Sequence, residues 1–274
     1  MQMLAMERAR YIVGKLEKNK VVLVAELSKE MNVSEETIRK DLEKLEKQEQ
    51  ICRVHGGAYL KEGYGNETSV NVREQIYQEE KTALGRQCVK FIEKNEIIIL
   101  DCSTTARYIA RAIGESGLKV TVITNSLATA YELSQNSQVR VLMLGGELDR
   151  NTGSFNGSLV LEALERYHAD KVFLSSAGIS AEAGITDYRQ NEADVRRKMI
   201  CQADQCYFVA DRTKIGRHAA FIVGDFGAVQ HLIVEQPIEG DLALKKKLEE
   251  ARVTVTSCVQ PQRPEEPTER KEEE

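Results

Sequence analysis

Leu23 to Ala58 reads LVAELSKEMNVSEETIRKDLEKLEKQEQICRVHGGA. Apolar residues recur at helical spacing on both sides of Asn32-Val33, and a short basic stretch follows. Ala25, Leu27 and Met31 mark the first of these helices, and Asn32-Val33 the turn. Ser34 is a good N-cap for the second, with Glu35 and Glu36 at its positive end. At about 100° per residue, Ile38, Leu42 and Leu45 form an inward stripe while Glu36, Lys40, Glu43 and Lys47 point away. Thr37, Arg39 and Lys44 flank that outer face. One helix braced inward and the next presented outward is the arrangement that reads a groove of duplex DNA. Arg39 and Lys40, near the start of the outer helix, are where base edges or phosphates would be met. Ile51-Cys52-Arg53-Val54 and a strand after His55-Gly56-Gly57 read as a wing whose tip tracks phosphates. Upstream, Ala5, Ala9, Ile12 and Leu16 give a further helix one apolar face. Charge alone favours a plain solvated helix, because Arg39, Lys40, Lys44 and Lys47 are balanced by Glu35, Glu36, Asp41, Glu43 and Glu46.

The chain has 274 residues, enough for one small domain and one large one. Its 42% apolar and 30% charged content is that of a globular protein. No apolar run is long enough to span a bilayer, and Met1 to Arg10 lacks a signal-peptide core, so a cytoplasmic protein with no membrane partner is expected. Six cysteines form no CxxC pair and four histidines show no ligand spacing; buried reduced thiols are expected, with no metal and no cofactor. A net charge of -5 confines any DNA contact to a local patch. The expected organisation is a winged helix-turn-helix over 1–58, a linker over 59–69, an α/β domain over 70–258 and a charged disordered tail over 259–274.

In the large domain a helical pattern over 70–95 leads into apolar runs alternating with helical stretches. Strands are expected at Ile97–Leu100, Val120–Ile123, Val139–Leu144, Lys171–Ser175 and Cys206–Ala210. Further strands are expected at Phe221–Val223, His231–Val234 and Val253–Thr256. Near-continuous apolar strands separated by helices imply a mostly parallel sheet covered on both faces. Polar or glycine residues follow the first five strands: Asp101 with Ser103, Thr104 and Thr105, then Asn125, Gly145 and Gly146, Gly178, and Lys214. Small ligands bind at that edge of open α/β sheets. Hydroxyls at a helix N-terminus suit a phosphate, with Lys214 as point charge and Asp101 and Asn125 for sugar hydroxyls. Each has a plainer meaning too: Ser103 to Thr105 or Asn125 as caps, Gly145-Gly146 as a turn, Lys214 as a solvated lysine.

VSEETIRKDLEKLEKQEQICRVHGGA closely resembles the N-terminal signature of the DeoR family of bacterial transcriptional regulators. The resemblance implies that Ser34, Thr37, Arg39, Lys40, Arg53 and His55 lie at or near DNA. Lys40 stands where the family pattern has a second arginine. The large domain also resembles the DeoR sensor domain, whose fold is related to ribose-phosphate isomerases and whose usual effectors are phosphorylated sugars. The matching stretches are LDCSTTARYIA, Thr124-Asn125, LGGELDRNTGSFNG, ADKVFLSSAGI, AGITD and ADRTKIG. Ser103 replaces a frequent glycine, and Arg212-Thr213 a frequent serine pair. Together these imply a sequence-specific repressor of a sugar-utilisation operon. Its partners would be operator double-stranded DNA and a phosphorylated sugar, and it would act as a homodimer or homotetramer on repeated half-sites. The resemblance also implies that the sensor domain binds without turnover. The rival is a sugar-phosphate isomerase with an appended DNA-binding domain, its base drawn from Asp101, Asp187 or Glu192. A third reading is a constitutive DNA-binding protein whose large domain only oligomerises.

Overall fold

The computed structural model describes residues 3–19, 21–48, 51–54, 56–60 and 70–258; His55, the 61–69 stretch and the expected tail lie outside them. The N-terminal domain runs α1 (Ala5–Asn19), β1 (Val21–Leu23), α2 (Val24–Met31), α3 (Glu35–Lys47), β2 (Ile51–Val54) and β3 (Gly57–Leu60). Ile12 and Leu16 of α1 meet Leu27 of α2 and Ile38, Leu42 and Leu45 of α3 in one core. Each side chain so buried stabilises the domain by roughly 1.5–3 kcal/mol. Asn32, left-handed at φ 51°, closes α2, and the Ser34 hydroxyl accepts the Thr37 N–H at 3.2 Å to open α3. The third strand of the wing, β1, escapes a reading based on periodicity because it is only three residues long. It pairs antiparallel with β3, giving the order β1-β3-β2. A side chain at Gly57 would place its Cβ 2.3 Å from the Val22 carbonyl oxygen, so this pairing requires glycine. β3 continues through Tyr59 and Leu60, two residues assigned to the linker on composition.

The C-terminal domain begins with α4 (Val70–Gln75) and α5 (Gln78–Val89). It continues through β4 (Ile97–Leu100), α6 (Thr104–Ser116), β5 (Val120–Thr124), α7 (Leu127–Ser134), β6 (Val139–Met143), β7 (Glu147–Asp149), β8 (Ser154–Asn156) and α8 (Ser158–Leu164). Next come β9 (Ala169–Leu174), β10 (Gly178–Ser180), β11 (Gly184–Asp187), α9 (Gln190–Cys201), β12 (Ala203–Ala210) and β13 (Phe221–Gly224). β14 (His231–Val234), α10 (Leu242–Glu250) and β15 (Thr254–Ser257) complete it. Seven strands form a parallel sheet in the order β15-β14-β12-β9-β4-β5-β6. Alternation along each strand splits the core. Ile98, Leu100, Phe173 and Val209 face Leu84, Ile109 and Ile113 of α5 and α6. Ile99, Val172, Leu174 and Phe208 face Val160, Met199, Leu244 and Leu248 of α8, α9 and α10. Burial on both faces is why these strands read as unbroken apolar runs.

Two expectations need correction. The Phe221 strand is not in the parallel sheet; β13 joins β10 and β11 in a separate antiparallel sheet, with Ile222 exposed. The helix expected over 70–95 breaks at Ile76-Tyr77 and ends at Val89, with Tyr77 left-handed at φ 58°. Ile76 and Tyr77 are buried in a small cluster with Val21 and Tyr59 of the N-terminal domain, contacts a continuous helix would not present. Among the described residues no helix is long and apolar enough to cross a membrane.

Where α5 crosses α6, a Cβ on Gly85 would lie 2.5 Å from the Tyr108 carbonyl oxygen. Gly85→Ala is therefore expected to destabilise the C-terminal domain by about 1–3 kcal/mol, because backbone must move. Urea unfolding should show it as a lower midpoint; an unchanged or raised midpoint would mean the two helices are not in this contact.

Candidate functional site

The carboxyl ends of β4, β9 and β12, adjacent in the sheet, open onto a cavity of about 490 Å³, including its solvent-open mouth. Ser103, Thr104 and Thr105 reach it from the start of α6, and Ser175, Ser176 and Ala177 from the loop after β9. Asp187, Tyr188, Glu192 and Arg196 come from β11 and α9, Asp211 and Lys214 from the turn after β12, and Arg73 and Lys81 from α4 and α5. The Ser103 hydroxyl accepts the Ala106 N–H at 3.0 Å, so it caps α6. The N–H groups of a helix's first turn have no acceptor of their own and suit an anion.

The floor is a buried ion-pair cluster. Arg196 Nε donates to Asp101 Oδ2 at 2.8 Å, and its Nη1 donates to Asp187 Oδ2 at 2.8 Å and Glu192 Oε2 at 3.1 Å. Asp101 also accepts from the Ser103 hydroxyl at 2.6 Å, which locks the floor to the α6 cap.

The wall is different, because its cations exceed their partners. Lys81, 2% exposed, donates its ammonium to the carbonyls of Ile76, at 2.8 Å, and Arg73. Burial pushes Lys81 down to about 8, with Asp211 opposing the shift and Lys214 and Arg73 adding to it. Burial likewise lowers Lys214. Arg73 Nε is buried without a partner. The Asp211 carboxylate is taken up by the N–H, at 2.9 Å, and hydroxyl of Thr213. The wall thus holds positive charge that its own carboxylates leave incompletely satisfied. Among the described residues no cluster of His, Cys, Asp or Glu could hold a metal ion.

Of the residues expected at the sheet edge, Ser103, Thr104, Thr105 and Lys214 line the cavity, and Asp101 lies beneath it. Asn125, Gly145, Gly146 and Gly178 do not line it. Asn125 follows β5, the neighbour of β4, Gly145 and Gly146 follow the edge strand β6 beyond it, and Gly178 opens β10 in the separate antiparallel sheet. Asn125 holds the β7–β8 hairpin instead, its Nδ2 donating to the Phe155 carbonyl at 2.8 Å. Gly146 lets the chain pass the Asn156 carbonyl, and Gly178 the Arg217 carbonyl. The sequence reading missed Arg73, Lys81, Ser175, Ser176, Tyr188, Arg196 and Asp211 as lining residues. Two were detectable: Lys81 shares a stripe with Leu84 and Cys88, and Arg196 shares one with Ala193 and Met199, so each puts a charge on an inward face.

On the N-terminal domain, Ser34 and Thr37 open α3 with their hydroxyls 2.9 Å apart. Thr37, Lys40 and Lys44 lie within roughly 60° on the helix, and Arg39 is about 100° from Lys40, towards the wing. Arg39 is paired with Glu35 at 2.6 Å and Lys40 with Glu36 at 3.6 Å. Arg39 and Arg53 both line a groove between α3 and the wing.

These features have counterparts. The family model of the DeoR-like helix-turn-helix domain matches residues 8–63, and that of the DeoR C-terminal sensor domain matches residues 76–236. The chain belongs to the DeoR family of transcriptional regulators. This DeoR-family protein is 37% identical to the transcriptional regulator YulB of Bacillus subtilis, covering 93% of this chain and 97% of that one. It is 33% identical to GolR of Listeria innocua, over 92% and 98% respectively. Its likeness to the transcriptional repressor GlcR of Bacillus subtilis is 34% over 84% and 88%. Among solved structures, ribose 5-phosphate isomerase A of Methanocaldococcus jannaschii matches 51% of this chain and 55% of its own, at 15% identity and a TM-score of 0.38.

Two outcomes are expected of this DeoR-family cavity. Arg196→Met strands three buried carboxylates and should cost about 3–5 kcal/mol in urea unfolding; a loss below about 1 kcal/mol would show the cluster to be solvated. Lys81 has a folded value of about 8 against an ordinary 10.5, so the folded protein releases this proton before the unfolded chain does. Stability relative to Lys81→Met should therefore rise, by on the order of 3 kcal/mol, as pH climbs through that window. Urea midpoints of both proteins at about pH 7 and about pH 10 check this, and a constant difference contradicts it.

Proposed function

We propose that this regulator represses a sugar-utilisation operon under the control of a phosphorylated sugar bound in the cavity at β4, β9 and β12. The buried cations of the wall carry the reading. Arg73 Nε lacks an acceptor that a phosphate would supply, and Lys81 and Lys214 line the same cavity beside the first-turn N–H groups of α6. Ser175, Ser176, Asp187 and Glu192 offer hydrogen bonds to sugar hydroxyls. The name of the relative GlcR, a transcriptional repressor, supports the sign of control.

Coupling would run through the knuckle between α4 and α5. An anion in the cavity competes with the Ile76 and Arg73 carbonyls for the Lys81 ammonium, and Ile76 and Tyr77 pack on Val21 and Tyr59 of the DNA-reading domain. By linkage, operator DNA then weakens the effector by the factor with which the effector weakens DNA. A homodimer or homotetramer in the cytoplasm, reading repeated half-sites, fits a single winged domain's limited contact area.

The isomerase alternative gains little support. Asp101, Asp187 and Glu192, the candidate bases, all converge on Arg196, so each has a carboxylate oxygen already engaged by the guanidinium. Burial pushes the nearby Cys102 thiol up to about 12, so it is a poor nucleophile.

The test is a thermal-shift screen against pentose and hexose phosphates. A hit at a hundred times its Kd should add about 2.7 kcal/mol of stability. The same compound should release a promoter fragment, and no ketose or aldose product should accumulate. Lys214→Ala should keep DNA binding and lose most of the shift. Arg39→Ala should keep the shift and weaken the promoter complex by about 1–3 kcal/mol. Sustained turnover, or no hit in the whole panel, would refute the sensor reading.

A further inference from the structure

A second hollow lies on the other side of the β12 turn. It is bounded by α3, the wing and Arg212, with Arg39 and Arg53 on its N-terminal-domain side. Arg212 comes from the C-terminal domain, two residues before the cavity's Lys214. Its backbone is fixed: the Arg212 N–H donates to Glu235 Oε1 at 2.7 Å, and the turn closes by Lys214 N–H to the Asp211 carbonyl at 2.9 Å. Its side chain is exposed, with the guanidinium carbon 5.3 Å from the Tyr77 ring centroid. Among the described residues no carboxylate lies within ion-pair distance of Arg212. Arg39 and Arg53, by contrast, are each paired with a glutamate. Glu235 feels the Arg212 charge without forming an ion pair with it. An exposed guanidinium set on an aromatic face and outside any ion pair is a positioned donor for an anion.

We propose that Arg212 is a DNA-contacting residue supplied by the C-terminal domain, donating to a backbone phosphate of a duplex seated on α3 and the wing. Three arginines and one carboxylate, Glu46, border the hollow, which gives it the sign a phosphate backbone needs. The hollow is continuous with the outer helix and wing, the surfaces that meet DNA in a winged helix-turn-helix. The proposal rests on the family's DNA binding and is independent of the effector reading.

A phosphate contact is insensitive to sequence and reads out in salt dependence. The experiment measures affinity of the full chain for a mixed-sequence duplex of about 30 base pairs, by anisotropy across a potassium chloride series. Arg212→Gln keeps the side chain's reach but removes its charge. It should lower the slope of log K against log salt by about 0.9 and weaken binding several-fold at low salt. Arg212→Lys should keep the slope. Thermal midpoints of both variants report folding, and Arg212→Ala provides a second neutral substitution should Arg212→Gln fold poorly. An unchanged slope and affinity in the neutral variants would overturn the proposal. So would weaker binding at an unchanged slope, which would mean the arginine acts only by bracing Tyr77. Equal slope loss in Arg212→Lys and Arg212→Gln would also overturn it, since the retained charge would then count for nothing.

Discussion

A single ammonium group, that of Lys81, sits where the cavity, the end of α4 and the knuckle packed on the N-terminal domain meet. It is almost wholly buried, and it donates to two main-chain carbonyls, of Arg73 and Ile76, at the end of α4. Carbonyl dipoles replace part of the lost hydration but supply no counter-charge. The effective penalty for burying an ion is several kcal/mol even after relaxation. Asp211 is the acid that most offsets it, and one of its carboxylate oxygens, Oδ1, already accepts from the Thr213 N–H and hydroxyl. The remaining deficit appears as the fall of Lys81 to about 8. A site that carries an uncompensated cation before its ligand arrives gains more from an anion than a neutral site would, because the desolvation cost has already been met in folding.

Packing against the N-terminal domain explains why the break at Ile76-Tyr77 can exist. A tyrosine in the left-handed region costs roughly 1–3 kcal/mol. Burying Ile76 and Tyr77 against Val21 and Tyr59 returns about 1.5–3 kcal/mol for each side chain. Burial therefore wins, and the chain turns instead of continuing as one helix. The turn allows one short segment to face two ways. Ile76 and Tyr77 meet the DNA-reading domain while Lys81, one turn further on, faces the cavity. The β12 turn repeats the device beside it, with Lys214 at the cavity and Arg212 next to Tyr77 and the wing.

How much of this was readable in advance follows from the range of the forces involved. The α3 cap at Ser34, its buried stripe, and strands such as Ile97–Leu100 and His231–Val234 depend on local spacing, and local spacing is written in the chain. The parallel order of those strands follows from their double-sided burial. The location of the cavity along the sheet does not, because it depends on which strands become neighbours: β9 and β12 come together on one side of β4, while Asn125 and Gly145 follow β5 and β6 on its other side. Gly146 and Gly178 lie outside the cavity for a related reason. A glycine demanded by a close carbonyl looks identical in sequence to one that admits a ligand. Lys81 and Arg196 were visible as charges on apolar stripes, but their partners lie on other elements, and only the fold supplies them.

The division of charge within the cavity narrows what it can hold. Its floor is acidic but internally satisfied, because Arg196 takes Asp187 and Glu192 together with Asp101 beneath. Its wall is basic, with Arg73 Nε unsatisfied and Lys214 held below its ordinary value by burial. A free sugar would leave the wall as it stands, and a bare inorganic anion would leave the floor's hydroxyls and carboxylate lone pairs facing water. A molecule with a compact dianionic end and several hydroxyls at the other satisfies both. Orientation follows from the same charges: reversed, the phosphate would sit against Asp187 and Glu192, and like charges a few ångströms apart repel by several kcal/mol when water is excluded. The cavity is therefore polar in the literal sense, and that polarity would select a phosphorylated sugar over either of its halves.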